Sequence, residues 1–509
     1  MTTIIIALAH RLLSRFARDT PIIICFTLLG ASLSTAPNAF ADQRTNLQAF
    51  ADPSGLIATL NVAGRTDPAN PFFQSLGSNG RTCATCHQVS QALSITPAHA
   101  RRVYAKTGGS DPLFASVDGA NCANVDPSDR AGHSLLLQHG LFRIALPVPA
   151  NAEFSIAAVH DPYGCALQAD PASGELMVSV YRRPLPSTNL RFLSAVMFDG
   201  RETPAALNSG GSLQANLRID LKQQALDATL GHAQAAVAPT DAQLDAIVDF
   251  ELGLYTAQML DLRAGPLDLR GALGGPLNLA AQVYYPAIND TLGQDPTGAA
   301  FSPSAMRLFD AWTSTARGRR GNDEISRARE DIAAGEQIFN TSPLTIRGVR
   351  GLNDNAALNH PDAIVGTCTT CHDTPNVGDH SLPLPLDIGT GHSTLPSTEP
   401  DPSIASALDQ LSLPDLPVFL ISGCPNPFGA GQPVSFYTTD PARALITGRC
   451  SDFNRGKGPI LRGLAARAPY FHNGSAADLH QLVNFYNERF QMALTQRQKD
   501  QLVAFLNSL

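Results

Sequence analysis

The chain has 509 residues, enough to bury a large core and to form two or three domains. Hydrophobic residues make up 44% of it and charged residues only 16%, which excludes a disordered polymer. The formal charge is −8 and no dense Lys/Arg run occurs, which excludes nucleic acid as a partner, because phosphate binding needs a concentrated basic face.

Residues 1–41 read as a targeting segment. Arg11, Arg15 and Arg18 precede an apolar stretch from Ile22 to Leu33, and Ala39-Phe40-Ala41 gives a small-x-small cleavage site, with Asp42 as the first mature residue. Nothing later is apolar enough to span a bilayer, so the expectation is an exported, periplasmic chain with no stable membrane insertion. Further along, Asn79-Gly80-Arg81 makes a turn, and Pro97 stands in the first turn of a helix. Residues 110–190 carry short apolar runs, Leu141 to Leu146 and Leu176 to Tyr181, which read as short strands or loops. Two helices follow. One runs from an N-cap at Ser212 to a stop at Gly231, and the other spans Asp241 to Gln258 with Leu244, Ile247, Val248, Leu252 and Tyr255 on one face. Residues 266–321 read as loop and short helix, and they hold Trp312, the only tryptophan, as a packing residue or a pocket wall. Arg317 to Arg320 is a solvated basic loop. A helix from Ile325 to Phe339 opens the second half, and the last helix starts at a Thr495/Gln498 capping box.

Nine cysteines carry most of the functional information. Four sit in two pentapeptides of one pattern, Cys83-Ala84-Thr85-Cys86-His87 and Cys368-Thr369-Thr370-Cys371-His372. In this pattern two thiols add across haem vinyl groups and the adjoining imidazole ligates the iron, so two covalently bound haem c groups are expected. Zinc would need further Cys or His at ligand spacing nearby, and a redox dithiol would not need the trailing His twice. Export matches the compartment in which such haems are attached. Cys25 leaves with the targeting segment, and Cys122, Cys165, Cys424 and Cys450 remain for disulfides. Three connectivities are possible. The simplest pairs Cys122 with Cys165 and Cys424 with Cys450. The fold expectation is mainly α, with two cytochrome c-like haem domains, 42–325 and 326–509, and loop-rich insertions.

Two further stretches carry a resemblance. Gly458-Pro459-Ile460-Leu461-Arg462-Gly463 followed by Ala468-Pro469-Tyr470-Phe471-His472-Asn473-Gly474, together with Met197-Phe198-Asp199-Gly200-Arg201, resembles the bacterial di-haem cytochrome c peroxidase / MauG superfamily over most of residues 75–509. The resemblance implies two mainly helical haem domains. His87 would be the proximal ligand of a peroxide-reactive haem, and His372 that of an electron-transfer haem. Where the peroxidases place a Met ligand on the second haem, this chain has Tyr486, as the maturation enzymes of the superfamily do. Periodicity with Leu479, Leu482 and Val483 turns Tyr486 inward, either as a ligand or as a core tyrosine.

The resemblance also marks departures. Phe198 stands where a tryptophan lies between the haems, Gln224 matches a distal Gln, and Gln234 replaces a catalytic Glu. An amide cannot shuttle the proton that a carboxylate can, and His232, two residues away, is the candidate acid/base. The removable sixth ligand of the resting peroxidases falls on Val103, with His99 a weaker candidate to close the iron. Arg183 and Arg467 lie near the positions of calcium ligands, so the resemblance does not carry calcium over to this chain.

Three functions follow. The first is a peroxidase-like oxidoreductase, in which a small periplasmic donor (a cytochrome or a cupredoxin) feeds the C-terminal haem and the N-terminal haem reduces hydrogen peroxide. The second is oxidation of an organic or protein substrate with peroxide or another small oxidant, favoured by Tyr486 and the missing Glu. The third is plain electron transfer, which would need two strong ligands on both irons.

Overall fold

The computed structural model describes residues 46–203, 212–282, 284, 288–289, 302, 306–313, 323–378, 385–395, 402–425 and 434–509. The expected targeting segment and the Arg317–Arg320 loop lie outside the described residues. Among those described, no helix is long and apolar enough to cross a membrane.

The expectation of a mainly α protein is corrected. Helix accounts for 34% and strand for 17%, with several antiparallel sheets, so the fold is mixed α/β. One sheet orders Leu47–Asp52, Gly55–Asn61, Leu254–Asp261 and Gly265–Pro266. A second orders Phe142–Pro147, Leu176–Arg182 and Leu167–Ala169. A third joins Ser155–His160 to Val418–Cys424 and Val434–Thr438, tying strands from distant parts of the chain together. A short pair, Leu344–Ile346 with Ile364–Gly366, stands just before the second Cys-x-x-Cys-His motif. The short apolar runs of 141–146 and 176–181, which left strand and loop open, pair with each other residue by residue.

Seven helices carry the argument: α1 (Cys83–Cys86), α2 (Pro97–Thr107), α3 (Leu213–Gly231), α4 (Asp241–Leu252), α5 (Glu324–Thr341), α6 (Leu479–Arg489) and α7 (Gln496–Asn507). The caps read from sequence are in place. Ser212 Oγ accepts from the Ala215 N–H at 3.2 Å, and Thr495 and Gln498 bond reciprocally. The second expected helix is shorter than its periodicity suggested. It stops at Leu252, where the Gly253 N–H closes on the Asp249 carbonyl, and Leu254 enters a strand. Tyr255 and Thr256 suit a pleated surface, and Thr256 meets Thr59 hydroxyl to hydroxyl at 2.8 Å across the strand pair. Tyr255 fell on the helical face by coincidence of period.

The C-terminal core packs α5 on α7. Gly335 makes this possible, because a Cβ there would lie 2.0 Å from the Gln501 carbonyl oxygen. Trp312 belongs to this core. It is fully buried, and its Nε1 donates to the Leu269 carbonyl at 3.0 Å, which makes it packing rather than a pocket wall. Cys122 pairs with Cys165 and Cys424 with Cys450, the simplest of the three connectivities.

Candidate functional site

Both Cys-x-x-Cys-His motifs are built on the same local turn. The N–H of the preceding threonine donates to the hydroxyl of the threonine three residues on, Thr82 to Thr85 at 3.0 Å and Thr367 to Thr370 at 2.9 Å. The histidine N–H then closes on the carbonyl of the first cysteine, at 3.0 Å in each. Each turn brings its two thiols and its imidazole together.

The first motif opens onto a cleft enclosing about 1550 Å³ of atom-free space, its mouth included. Cys83, Cys86 and His87 line it, with Phe198, Gln224 and His232. Gln224, Ala228 and His232 recur every fourth residue, which is why one face of α3 and its cap presents all three to the cleft. Gln234 is not among the lining residues. A left-handed φ of 54° turns the chain there, and its side chain accepts from Asn79 Nδ2 at 3.2 Å on the exposed surface. Val103 packs in the apolar cluster beside Cys86.

The His87 Nδ1 lies 3.0 Å from the Leu93 carbonyl oxygen and 3.0 Å from Ser187 Oγ. A carbonyl can only accept, so Nδ1 carries the proton and the Nε2 lone pair is left as a donor for a metal. Burial pushes the thiols of Cys83 and Cys86 up to about 12, far from the depressed values of a redox dithiol. Two protonated thiols, one imidazole with a free Nε2 and a cleft of this size fit a haem joined through thioethers. Among the described residues, no group of three or more His, Cys, Asp or Glu side chains could hold a bare metal ion.

On the cleft wall His232 Nδ1 bonds Asp118 Oδ2, and Arg81 bonds the other carboxylate oxygen. Asp118 is buried, which works to raise its pKa, but the hydrogen bonds and charges of His232 and Arg81 outweigh burial and hold it below the usual range. Arg81 is itself fixed by the carbonyls of Pro112 (2.8 Å) and Leu113 (3.0 Å). Asp118 was not singled out from sequence, since nothing local links it to His232. Glu251 of α4 is a second omission. It lines the cleft, is buried, and is lifted to about 7 by that burial, with a hydrogen bond from Ser187 pulling the other way.

The second motif faces an aromatic wall. The rings of His372 and Tyr486 stand edge to face, 6.4 Å between centroids, with Phe339 5.9 Å from His372 and Phe490 5.8 Å from Tyr486. Burial raises the Tyr486 phenol above its ordinary value. An imidazole and a phenol beside two thiols fit a haem joined at Cys368 and Cys371, which His372 and Tyr486 would hold. Arg462, from the first resembling stretch, clamps the segment after this motif by donating twice to the Pro375 carbonyl, at 2.9 and 2.7 Å.

The wall of the first cleft also holds a buried charged layer. Phe198 stacks on His472, 4.4 Å between centroids and 12° from parallel. Gly456 makes room, since a Cβ there would come within 2.2 Å of the Phe198 ring. Arg182 sits over the same ring and bridges Asp199 to Asp440, with 2.6 and 2.9 Å contacts to Asp440. Desolvation lowers His472 to about 4, so the stacked imidazole is neutral. Where the resemblance pointed to altered calcium ligands, the Arg183 guanidinium already takes three carbonyls, those of His139, Ile95 and Arg467, at 3.0, 2.8 and 2.9 Å.

No family model matches the chain. Over 153 residues it is 31% identical to a cytochrome-c peroxidase, IdrP2, of Denitromonas iodatirespirans. The match takes in 28% of this chain, and it spans only about a third (36%) of that relative's length.

Proposed function

We propose that the chain is an exported di-haem c-type cytochrome acting as a peroxidase-like oxidoreductase. One haem is joined at Cys83 and Cys86 with His87 as its ligand, and the other at Cys368 and Cys371 between His372 and Tyr486. The observation that carries this reading is the cleft at the first motif, where the two thiols, the free Nε2 of His87, Gln224 and His232 meet in one space. The partial likeness to a cytochrome-c peroxidase points the same way. When bound, the haem iron supplies the electrons that reduce hydrogen peroxide to water.

The chain's own residues do the rest. His87 anchors the group from one side. Gln224 can donate or accept one hydrogen bond to a bound peroxide, and so orient it. His232, with Nδ1 held on Asp118, is the acid/base that moves a proton between the two peroxide oxygens in place of the missing carboxylate. Electrons arrive from a small periplasmic cytochrome or cupredoxin at the C-terminal site and cross the stacked Phe198–His472 pair. The test is steady-state peroxide consumption by the purified holoprotein with a reduced small cytochrome as donor. Turnover that saturates in both reactants is expected, and haem-loaded protein that leaves peroxide untouched would remove the reading.

A second reading, oxidation of an organic or protein substrate, draws on Tyr486 facing His372. A phenolate is a hard anionic donor that favours ferric iron over ferrous, so it would lower the potential of that site relative to a Met ligand and support higher oxidation states. Peroxide consumed without any electron donor, but coupled to loss of an added substrate, would favour it.

A further inference from the structure

A cleft that handles peroxide exposes its own walls to the oxidant. Among the described residues that line the first cleft there is no tyrosine and no tryptophan, and Phe198 stands where the resemblance places an oxidisable indole. The sulfurs of Cys83 and Cys86 are committed to the haem once it is joined. That leaves one soft, readily oxidised side chain on the wall, the thioether of Met197.

The backbone pins Met197 in place. Its φ is left-handed at 65°, a conformation that strains a residue with a side chain and that clusters at functional sites. The Gly200 N–H closes a turn on its carbonyl at 3.2 Å, and the Lys457 N–H donates to the neighbouring Phe198 carbonyl at 2.8 Å. The chain has six methionines. Met1 lies outside the described residues, and Met306 and Met492 are buried, at 1% and 8% exposure. Met177 and Met259, both on strands, are half-buried as Met197 is, but neither lines the cleft. Exposure therefore does not separate these three methionines, and the cleft does.

We propose that Met197 is the residue at which hydrogen peroxide oxidises the protein itself, to methionine sulfoxide, when no electron donor is supplied. This rests on the reading of the first cleft as the peroxide site. The sulfur lone pair bonds one peroxide oxygen and the O–O bond breaks. The other oxygen takes the first oxygen's proton, which His232 can carry across, and leaves as water. Sulfur loses the two electrons that peroxide gains, so the step balances without a further reactant. Peroxide held in the cleft has a raised effective concentration at this sulfur and not at the others. An electron donor supplies the same two electrons and so competes with the thioether.

The experiment treats wild-type holoprotein with a few equivalents of hydrogen peroxide, alone, with a reduced small cytochrome, and with cyanide bound in the cleft. Peptide mass spectrometry reads the oxygen gained at each methionine, and intact mass reads the total. Without donor, Met197 is expected to be oxidised about 10-fold or more ahead of Met177 and Met259. Cyanide, and a donor that supports turnover, should each bring Met197 back to the pace of the other two. Met197→Leu, which keeps the side-chain volume, should gain no oxygen at the dose that adds one to the wild type. Met197 oxidised no faster than Met177 and Met259, a lead that survives cyanide, or an equal gain in Met197→Leu would overturn the proposal. The wild-type measurements need no variant, so a folding failure of Met197→Leu leaves the test decisive. Met197 oxidised first in a protein that does not turn over peroxide with a donor would uphold the site and sink the peroxidase reading. Turnover with Met197 spared in the donor-free sample would do the reverse.

Discussion

The two Cys-x-x-Cys-His motifs are alike up to the histidine and unlike beyond it. Each has the same threonine-braced turn and the same histidine-to-cysteine backbone bond. Past that point, His87 backs onto Leu93 and Ser187 and fronts a wide cleft with Gln224 and His232 on its walls. His372 instead faces Tyr486 within a ring of phenylalanines. Each motif's local turn is set within six residues, while what surrounds it is set by residues brought in from across the chain. On the proposed reading, the open side serves chemistry and the ringed side serves electron transfer.

That contrast can be broken at its strongest point first. His87→Ala should remove peroxide turnover altogether while leaving the C-terminal haem spectrum intact, which visible spectroscopy and a peroxide assay read together. Next in size, His232→Ala should lower kcat by about 10²–10⁴-fold, the range for loss of a positioned acid/base. Asp118→Asn, which loosens that histidine and also removes the charge that pairs with Arg81, should cost roughly 10–100-fold. An unchanged kcat in His232→Ala would move the proton chemistry elsewhere on the cleft wall.

The buried charged layer gives structural tests. Arg182→Ala leaves Asp199 and Asp440 buried without their shared cation, and should cost about 3–5 kcal/mol in a urea titration. The smallest expected effect is a pH dependence. His472 is lowered to about 4 in the folded protein, against 6.5 for an ordinary histidine, so the unfolded chain binds the extra proton as pH falls between these values. Its contribution is therefore complete above pH 6.5 and is lost on going down to pH 4, by about 3 kcal/mol. His472→Phe, which keeps a ring stacked on Phe198, should flatten that part of the stability profile.

How much of this was legible in the sequence depends on range. The motifs, the caps at Ser212 and Thr495 and the inward face of α6 are local patterns, and they read directly. The disulfide partners were one choice of three and needed the fold to decide. The sheets were not legible as sheets, since their strands are short and one of them pairs residues 155–160 with 418–422. Resemblance put Gln234 at a catalytic position, but the left-handed turn just after α3 sends it to the surface. Asp118 and Ser187 lie 114 and 100 positions from the histidines they bond, and no spacing rule reaches that far.

The central claim is that the two motifs hold two unlike haems. Intact mass and EPR of the purified protein at rest test it most directly, beside the Cys83→Ser/Cys86→Ser and Cys368→Ser/Cys371→Ser variants. The account predicts two covalent haems, a high-spin ferric signal that disappears only with the first pair, and a low-spin signal that disappears only with the second. A chain carrying no covalent haem or a single one, or two low-spin signals that cannot be told apart, would contradict it.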